Sequence, residues 1–300
     1  MRLKQAVRKT GNLLKETFVG FVNDKGFKLS AALAFYTIFS LPPLVLVIMY
    51  LTGLFIGPDA VRSEIFGQIR EVLGNQAATQ VQEILHNADL TNHGTLTPFL
   101  GFVILIFGAS GMFAEIQTSI NYIWGLKAKP RKGLVKFLKN RLFSLSMIGL
   151  VGFLLLVGLI ANSSLKILSQ HIAELMDRGS VVLFHIVNTG VIFIAILVLF
   201  MLIFKTLPDG KISFTDNIKG SLFTAVLFMI GQYFFSEYLG SSRIVTIYGA
   251  AGSVILILLW VYYSAITLYL GAEFTMVYAR NHGKKIRPNA SSEFIKKDDQ

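Results

Sequence analysis

The stretch IYGAAGSVILILLWVYYSAITLYLGAEFTMVY, residues 247–278, decides the fold class of this chain. Its only acidic or basic residue is Glu273. An α-helix needs roughly 20 mostly apolar residues to cross a hydrocarbon core of about 30 Å, and this stretch meets that length with some to spare. The stretch therefore predicts a helix that spans a membrane.

Five further stretches of 22 to 28 residues have a similar apolar character. They lie at residues 29–56, 97–124, 142–165, 181–204 and 218–239. Across all 300 residues, 53% are hydrophobic, 15% are charged and the mean hydropathy is +0.61. A soluble domain carries about 25% charged residues, so this composition indicates a chain whose main solvent is lipid. We predict an all-α integral membrane protein with six transmembrane helices in one domain, residues 29–280.

The charge of the connecting segments predicts the orientation of these helices. The leader, residues 1–28, contains seven Lys and Arg residues, and the segment 127–141 contains seven more without an acidic residue. By contrast, the segment 57–92 contains two basic and five acidic residues. Since Lys and Arg are enriched in cytoplasmic loops, both termini are expected in the cytoplasm. The net charge of +11 fits a multi-pass protein of the bacterial plasma (inner) membrane.

Three segments outside the spans have their own predicted character. In the leader, apolar residues recur at helical spacing among basic ones, which predicts an interfacial helix on anionic lipid; a solvated basic tail is the alternative. Segment 57–92 predicts an external helical hairpin that packs over the spans, or else serves as a partner-binding lid. Residues 281–300 form a basic tail expected to be disordered. Anionic headgroups are expected to contact Arg8, Lys9, Lys129, Arg131 and Lys132.

The residue types of most enzyme and metal sites are missing from the sequence or scattered through it. There is no cysteine, which excludes disulfides and thiolate chemistry, and the five histidines form no HxH or HExxH pattern. No GxSxG, Walker A or GxGxxG motif occurs. We therefore predict no metal, no cofactor and no enzymatic activity.

Polar residues inside the second and last spans mark the candidate site. Glu115 lies near the middle of the second span, and Thr118, Ser119 and Tyr122 follow at helical spacing on one face. Glu273 lies in the last span. Ionisable groups in lipid are costly and usually face the bundle interior or a water-filled cavity. They predict a substrate cavity or proton-coupled site, with neutral, hydrogen-bonded carboxyl groups as the structural alternative.

A break in the first span is predicted to form another wall of this cavity. The sequence SLPPL contains Ser40, Pro42 and Pro43. Proline inside a helix removes a backbone hydrogen bond and clashes with the preceding turn, so the helix must kink or break there. The exposed carbonyl groups then need partners, which suits a cavity wall. A kink with a purely structural role fits the sequence equally well.

Several blocks resemble the YihY/BrkB family of bacterial inner-membrane proteins. They are LAFYTIFSLPPLVL (33–46), INYIWG (120–125) with RLFSL (141–145), TLPDGKISFTDNIKGSLFTAVLF (206–228) and YGAAGSVILILLWVYYSAITLYLGAEFT (248–275). The resemblance covers residues 15–280, and the last block is its most specific part. One departure is KGSLF at the start of the fifth span, where the family more usually has Gly-Ala; it bears on packing alone. The resemblance implies a role in envelope integrity or serum resistance, without an agreed molecular activity. Its historical ribonuclease label is generally regarded as mistaken.

The sequence is compatible with two classes of function and disfavours a third. The first is passage of a lipid or another amphipathic envelope component through the polar intramembrane cavity. The second is a non-transporting scaffold that binds protein partners and maintains the envelope. The third, a ribonuclease, is disfavoured because RNA cleavage would need a soluble metal-bearing cluster. The expected partners are membrane lipids and an amphipathic substrate, with no nucleic acid; a homo-oligomer is compatible with the sequence.

Overall fold

The computed structural model describes residues 2–40, 66–67, 70, 79, 82, 111–128, 179–240, 250–283, 286–289 and 292–295. Six helices and four short strands lie within these residues. The helices are α1 (Arg2–Asn23), α2 (Gly26–Ser40), α3 (111–123), α4 (Gly179–Thr206), α5 (Phe214–Gly240) and α6 (Ala250–Asn281). The strands are β1 (Leu126–Ala128), β2 (Gly210–Lys211), β3 (Arg287–Pro288) and β4 (Ser292–Phe294).

The last three predicted spans are confirmed as helices that are long and apolar enough to cross a membrane. Within the described residues these segments are Thr189–Thr206, Phe214–Phe235 and Val254–Asn281. The helix α2 is a shorter apolar helix at the start of the first predicted span, and α3 covers the end of the second. The third span, 142–165, lies outside the described residues, so the six-span topology and its orientation stay predictions.

The close pairing of α5 and α6 follows from small residues in both helices. A Cβ atom added at Gly220 would lie 1.8 Å from Thr275 Oγ1, and one added at Gly271 would lie 1.9 Å from Thr224 Oγ1. The glycines therefore allow each helix to seat a threonine of the other, as small residues do in membrane helix pairs. Between them, the rings of Phe223 and Phe274 stack with centroids 4.2 Å apart.

The ends of α3, α4, α5 and α6 meet the four strands at one end of the bundle, which we call the strand end. Helix α3 stops where Gly125 adopts a left-handed conformation with φ of 65°, as C-terminal glycines do. Helix α5 starts after Ser213, whose Oγ accepts a 3.4 Å hydrogen bond from the backbone N–H of Asp216. This short α4–α5 connection places β2 at the same end.

The described fold is mostly helical, as predicted, with two short strand pairs that the sequence did not predict, and one strand of each pair lies in the predicted tail. Strand β1 pairs antiparallel with β4, and β2 pairs antiparallel with β3. The Ser292 hydroxyl also donates to the backbone carbonyl of Asp209 at 2.6 Å. Backbone polar groups that are partly buried need partners, and distant loop segments supply them here. That pairing orders residues 286–289 and 292–295 of the predicted tail.

The leader folds as a helix that packs onto α6. Thr17 and Phe21 are buried, whereas an apolar stripe on another side of α1 is exposed, namely Leu14, Phe18 and Val22. Part of α1 is therefore committed to the bundle, the exposed stripe is left to meet lipid, and the interfacial placement stays a prediction. In the predicted hairpin, 57–92, the described residues are helical, and the rest lies outside the described residues.

Candidate functional site

Glu115 and Ser119 form a polar pair on the inner side of α3. Glu115 is partly buried, and the Ser119 hydroxyl, 1% exposed, donates to Glu115 Oε1 at 3.3 Å. The two residues are four apart, so they lie one above the other on the helix. The structure thus brings together two residues of the predicted polar face.

Tyr269 of α6 completes this cluster and was not singled out from the sequence. Its side chain is fully buried and faces Ser119 and Glu115 of α3. Its hydroxyl lies near the Ser119 hydroxyl, but not in the geometry of an ordinary hydrogen bond. The only sequence signal was its position four residues before Glu273, which places both on one face of α6. We call Glu115, Ser119 and Tyr269 the tyrosine cluster.

The other two residues of the predicted face point away from the tyrosine cluster. Thr118 is exposed, and its hydroxyl donates to the backbone carbonyl of Ala114 at 2.9 Å. Tyr122 is 37% exposed. The predicted face is therefore divided between the bundle interior and the bundle surface.

The predicted kink is described only at its first residue. Ser40, at the end of α2, is buried and close to α3, since a Cβ atom added at Gly111 would lie 3.2 Å from its hydroxyl oxygen. Pro42 and Pro43 lie outside the described residues. Ser40 therefore lies at the α2–α3 contact, at the opposite end of α3 from the strand end.

Glu273 is enclosed where α1 meets α6. Its side chain is 1% exposed, and a Cβ atom added at Gly20 of α1 would lie 2.1 Å from Glu273 Oε1. The Oε2 atom is buried without a hydrogen-bond partner. Asp24, directly after α1, forms a side-chain hydrogen bond with Glu273. We call Asp24 and Glu273 the carboxyl pair.

Asp24 was missed from the sequence because it lies in the polar leader, far from Glu273 along the chain. Burial raises the pKa of Asp24 above its ordinary value of 3.8, and the hydrogen bond to Glu273 opposes part of that rise. Two carboxyl groups can hydrogen-bond to each other only when one of them carries a proton. The geometry of this pair therefore fits one shared proton.

The two clusters adjoin each other along α6. Tyr269 and Glu273 are four residues apart, so their side chains leave the helix about 5–6 Å from each other. Tyr269 contacts α3, and Glu273 contacts α1. In addition, the Trp124 indole N–H donates to the carbonyl of Ala272 at 3.1 Å, which fixes α3 against α6 beside the carboxyl pair.

The structure describes the predicted lipid-contacting residues only in part. Arg8 and Lys9 are exposed on α1, whereas Lys129, Arg131 and Lys132 lie outside the described residues. Over the ranges that the structure describes, no group of three or more His, Asp or Glu side chains is arranged to hold a metal ion.

Known proteins share this chain's sequence over most of its length. The family model described as Virulence factor BrkB matches residues 17–296. A ribonuclease-like protein, YfkH of Bacillus subtilis (strain 168), is 26% identical over 93% of this chain and 98% of its own length. This agreement confirms the resemblance drawn from the sequence blocks.

Other relatives carry the name UPF0761 membrane protein. One from Pseudoalteromonas atlantica is 27% identical over 89% of this chain and 86% of its own length. Another from Teredinibacter turnerae is 28% identical over 93% of this chain, and the chain spans 64% of that longer protein. No solved structure matches this chain.

Proposed function

The chain belongs to the virulence factor BrkB family, and from that premise we propose that it moves a lipid or another amphipathic envelope component through the membrane. In this proposal the polar headgroup of the substrate binds at the tyrosine cluster. The apolar part of the substrate stays in contact with lipid. Two observations support a membrane location. Relatives are named membrane proteins, and three of the described helices are long and apolar enough to cross a membrane.

The observation that carries the proposal is the unpaired Tyr269 hydroxyl. It is buried inside the bundle and faces a carboxyl group and a second hydroxyl. A buried polar group without a partner costs about 1–3 kcal/mol, and a bilayer core offers no water to replace the partner. A headgroup with both donors and acceptors would remove that cost. Glu115, being only partly buried, is the member of the cluster that an entering headgroup can reach first.

The surface of α2 suits the apolar part of such a substrate. Phe35 and Phe39 are 59% and 66% exposed, and their rings lie 4.9 Å apart. Ser40, the next residue, is buried at the contact with α3. An amphipathic molecule at this boundary would place acyl chains along the phenylalanines and its headgroup toward the polar side of α3.

Reconstitution in phospholipid vesicles tests the proposal. The measurement is the movement of a fluorescent phospholipid between leaflets, with Tyr269→Phe and Glu115→Gln as test variants. Removing an unpaired buried hydroxyl leaves the melting temperature unchanged or raises it, so a fall in translocation by Tyr269→Phe reports lost substrate contact rather than lost folding. The matched control is Tyr233→Phe, because Tyr233 is 67% exposed on α5.

Two results would contradict the proposal. One is wild-type translocation no faster than in empty vesicles. The other is wild-type rates in both Tyr269→Phe and Glu115→Gln after their folding has been verified. Slower translocation in both variants, with Tyr233→Phe at the wild-type rate, would support it.

A second candidate function is an envelope scaffold, and the ordered strand end favours it. The tail is held there by β1–β4 and β2–β3 pairing, while Phe294 is 53% exposed and Phe214 is 62% exposed. A rigid surface with exposed aromatic rings suits a protein partner. A photo-crosslinking amino acid at Phe294 would yield a stoichiometric protein adduct for a scaffold, and lipid adducts or none for a transporter.

A further inference from the structure

We propose that Asp24 and Glu273 form a proton-binding site, and that one shared proton holds α1 against α6. The ligand is a proton taken from the aqueous side. The inference goes beyond the proposed transport function, because it concerns the docking of α1 and requires no substrate.

Helix α1 encloses the side chain of Glu273. The side chain is 1% exposed, and α1 approaches it at Gly20 so closely that a Cβ atom there would overlap Oε1. No water fits into a contact of that distance. The charge of the carboxylate would therefore have to be balanced by protein groups, and the residue directly after α1 brings another carboxyl group, Asp24, against it.

The proton balance of the pair follows from this arrangement. With both carboxyl groups ionised, two negative charges would share an enclosed contact and repel each other. With one proton bound, an O–H of one carboxyl donates to an oxygen of the other, and repulsion is replaced by a hydrogen bond. Oε2 of Glu273 is buried without a hydrogen-bond partner, so the enclosed contact offers the carboxylate little else to offset a negative charge. Asp24 is less buried than Glu273 and offers the entry point from solvent.

Among the residues that the structure describes, few other charged groups reach the pair. From α6, Arg280 lies on the strand-end side and forms an exposed ion pair with Glu16 of α1 at 3.3 Å. The α1–α2 turn contributes the exposed Lys25, and the start of α2 contributes the exposed Lys28. From α3, the titratable group is Glu115, which faces Tyr269. Arg280 is thus shared with Glu16, so its positive charge does not remove the need for a proton between Asp24 and Glu273.

The turn next to Asp24 allows α1 to move as a unit. Lys25 has a φ of 57°, the left-handed conformation that a non-glycine residue adopts at a cost. This turn separates α1 from α2, so rotation about one strained residue would change the position of α1 without breaking either helix. Lys25 is held in this strained conformation only while α1 is held against α6.

The direction of the pH effect follows from the raised pKa of Asp24. A carboxyl group that binds its proton more tightly in the docked state stabilises docking at low pH, and this stabilisation is lost as the pH rises. The loss begins above the ordinary value of 3.8 and is complete above the raised value. We therefore expect α1 to be docked most tightly at acidic pH and less tightly as the pH rises through the raised pKa of Asp24.

The chain contains no cysteine, so a single introduced thiol reports the docking of α1 without background. Thr17 is 1% exposed against α6, whereas Thr10 is exposed on the same helix. The experiment measures maleimide labelling of Thr17→Cys in the full chain in nanodiscs from acidic to alkaline pH. Each rate is divided by that of Thr10→Cys at the same pH, which removes the effect of thiol ionisation. The normalised rate should rise about tenfold per unit of difference between the docked and undocked pKa of the pair.

Variants of the carboxyl pair separate this site from other causes of pH dependence. In Glu273→Gln and Asp24→Asn, an amide N–H donates to the remaining carboxyl without a proton, so the normalised rate should stay low at every pH. Glu16→Gln, which removes the ion pair with Arg280 but leaves the pair intact, should retain the wild-type pH response.

A flat pH profile in the Thr17→Cys chain would overturn the proposal. So would an unchanged pH response in both Glu273→Gln and Asp24→Asn. Neither result depends on lipid translocation, so this inference and the proposed function fail or stand separately.

Discussion

Helix α6 receives two neighbouring helices through the same device, a glycine that makes room for a polar side chain of α6. On one side, Gly220 of α5 faces Thr275; on the other, Gly20 of α1 faces Glu273. The two contacts differ in how the polar group is satisfied. The Thr275 hydroxyl donates to the carbonyl of Gly271 in its own helix at 2.7 Å, whereas Glu273 depends on Asp24 of another segment.

This difference separates a permanent contact from a conditional one. Thr275 keeps its hydrogen bond at every pH and whether or not α5 is present, so its contact with α5 is one of shape alone. Glu273 has no such bond within α6, and its contact with α1 holds only while the carboxyl pair has a proton. Similar backbone packing can therefore give α6 one fixed neighbour, α5, and one releasable neighbour, α1.

The largest expected effect comes from filling the space at Gly220, where α5 meets Thr275 of α6. In Gly220→Ala the new Cβ would lie 1.8 Å from Thr275 Oγ1 and 2.9 Å from Thr275 Cβ, so the helices must separate. Overpacking of this kind costs about 1–3 kcal/mol. Thermal unfolding in detergent should show the same loss at acidic and alkaline pH. In the control Gly190→Ala nothing lies within 4 Å of the added atom, and stability should not fall. Loss at one pH only would contradict a permanent contact.

A smaller, pH-independent loss is expected beside the carboxyl pair. Trp124→Phe removes the indole N–H that donates to the carbonyl of Ala272, and a hydrogen bond of this kind contributes about 0.5–1.5 kcal/mol. Trp260→Phe is the comparison, because Trp260 contacts Phe228 and Phe235 through ring packing. A Trp124→Phe effect that changed with pH would mean that proton release also loosens the contact between α3 and α6.

The conditional contact itself is tested by two alanine variants of α1. In Gly20→Ala the added Cβ displaces the flexible end of Glu273, which should weaken docking by about 1 kcal/mol. The loss should be visible as faster labelling of Thr17→Cys at acidic pH and should shrink as the pH rises and the pair loses its proton. Gly11→Ala, with open space around the added atom, should leave labelling unchanged. Equal effects of the two variants would show that helix propensity, not the carboxyl contact, controls docking.

The smallest effect is expected for Thr275→Val. The substitution keeps the shape that fills the space at Gly220 and removes a hydroxyl whose hydrogen bond stays within α6. Hydrogen bonds of polar side chains between membrane helices average about 0.6 kcal/mol, and a bond inside one helix should contribute no more than that. A larger loss in thermal unfolding would reveal that the hydroxyl also stabilises α5.

Sequence patterns predicted what depends on neighbours along the chain and missed what depends on distant ones. The apolar runs gave α4, α5 and α6, and spacing of four residues gave Glu115 with Ser119. The sequence could not show which side of α3 meets α6, and so Thr118 and Tyr122 were grouped with them. Asp24 and Tyr269 become significant only through contacts with other helices. The tail becomes ordered only through strands that are far away in sequence.

The pairing of β1 with β4 has a consequence for how the protein is made. Residues 126–128 leave the ribosome long before residues 292–294, with α4, α5 and α6 still to be synthesised between them. Until then β1 has an open edge that other strands could join. Completion of this face is therefore a late event in biogenesis, and a chain cut short after α6 would present an unsealed edge to the quality-control proteases of the cell.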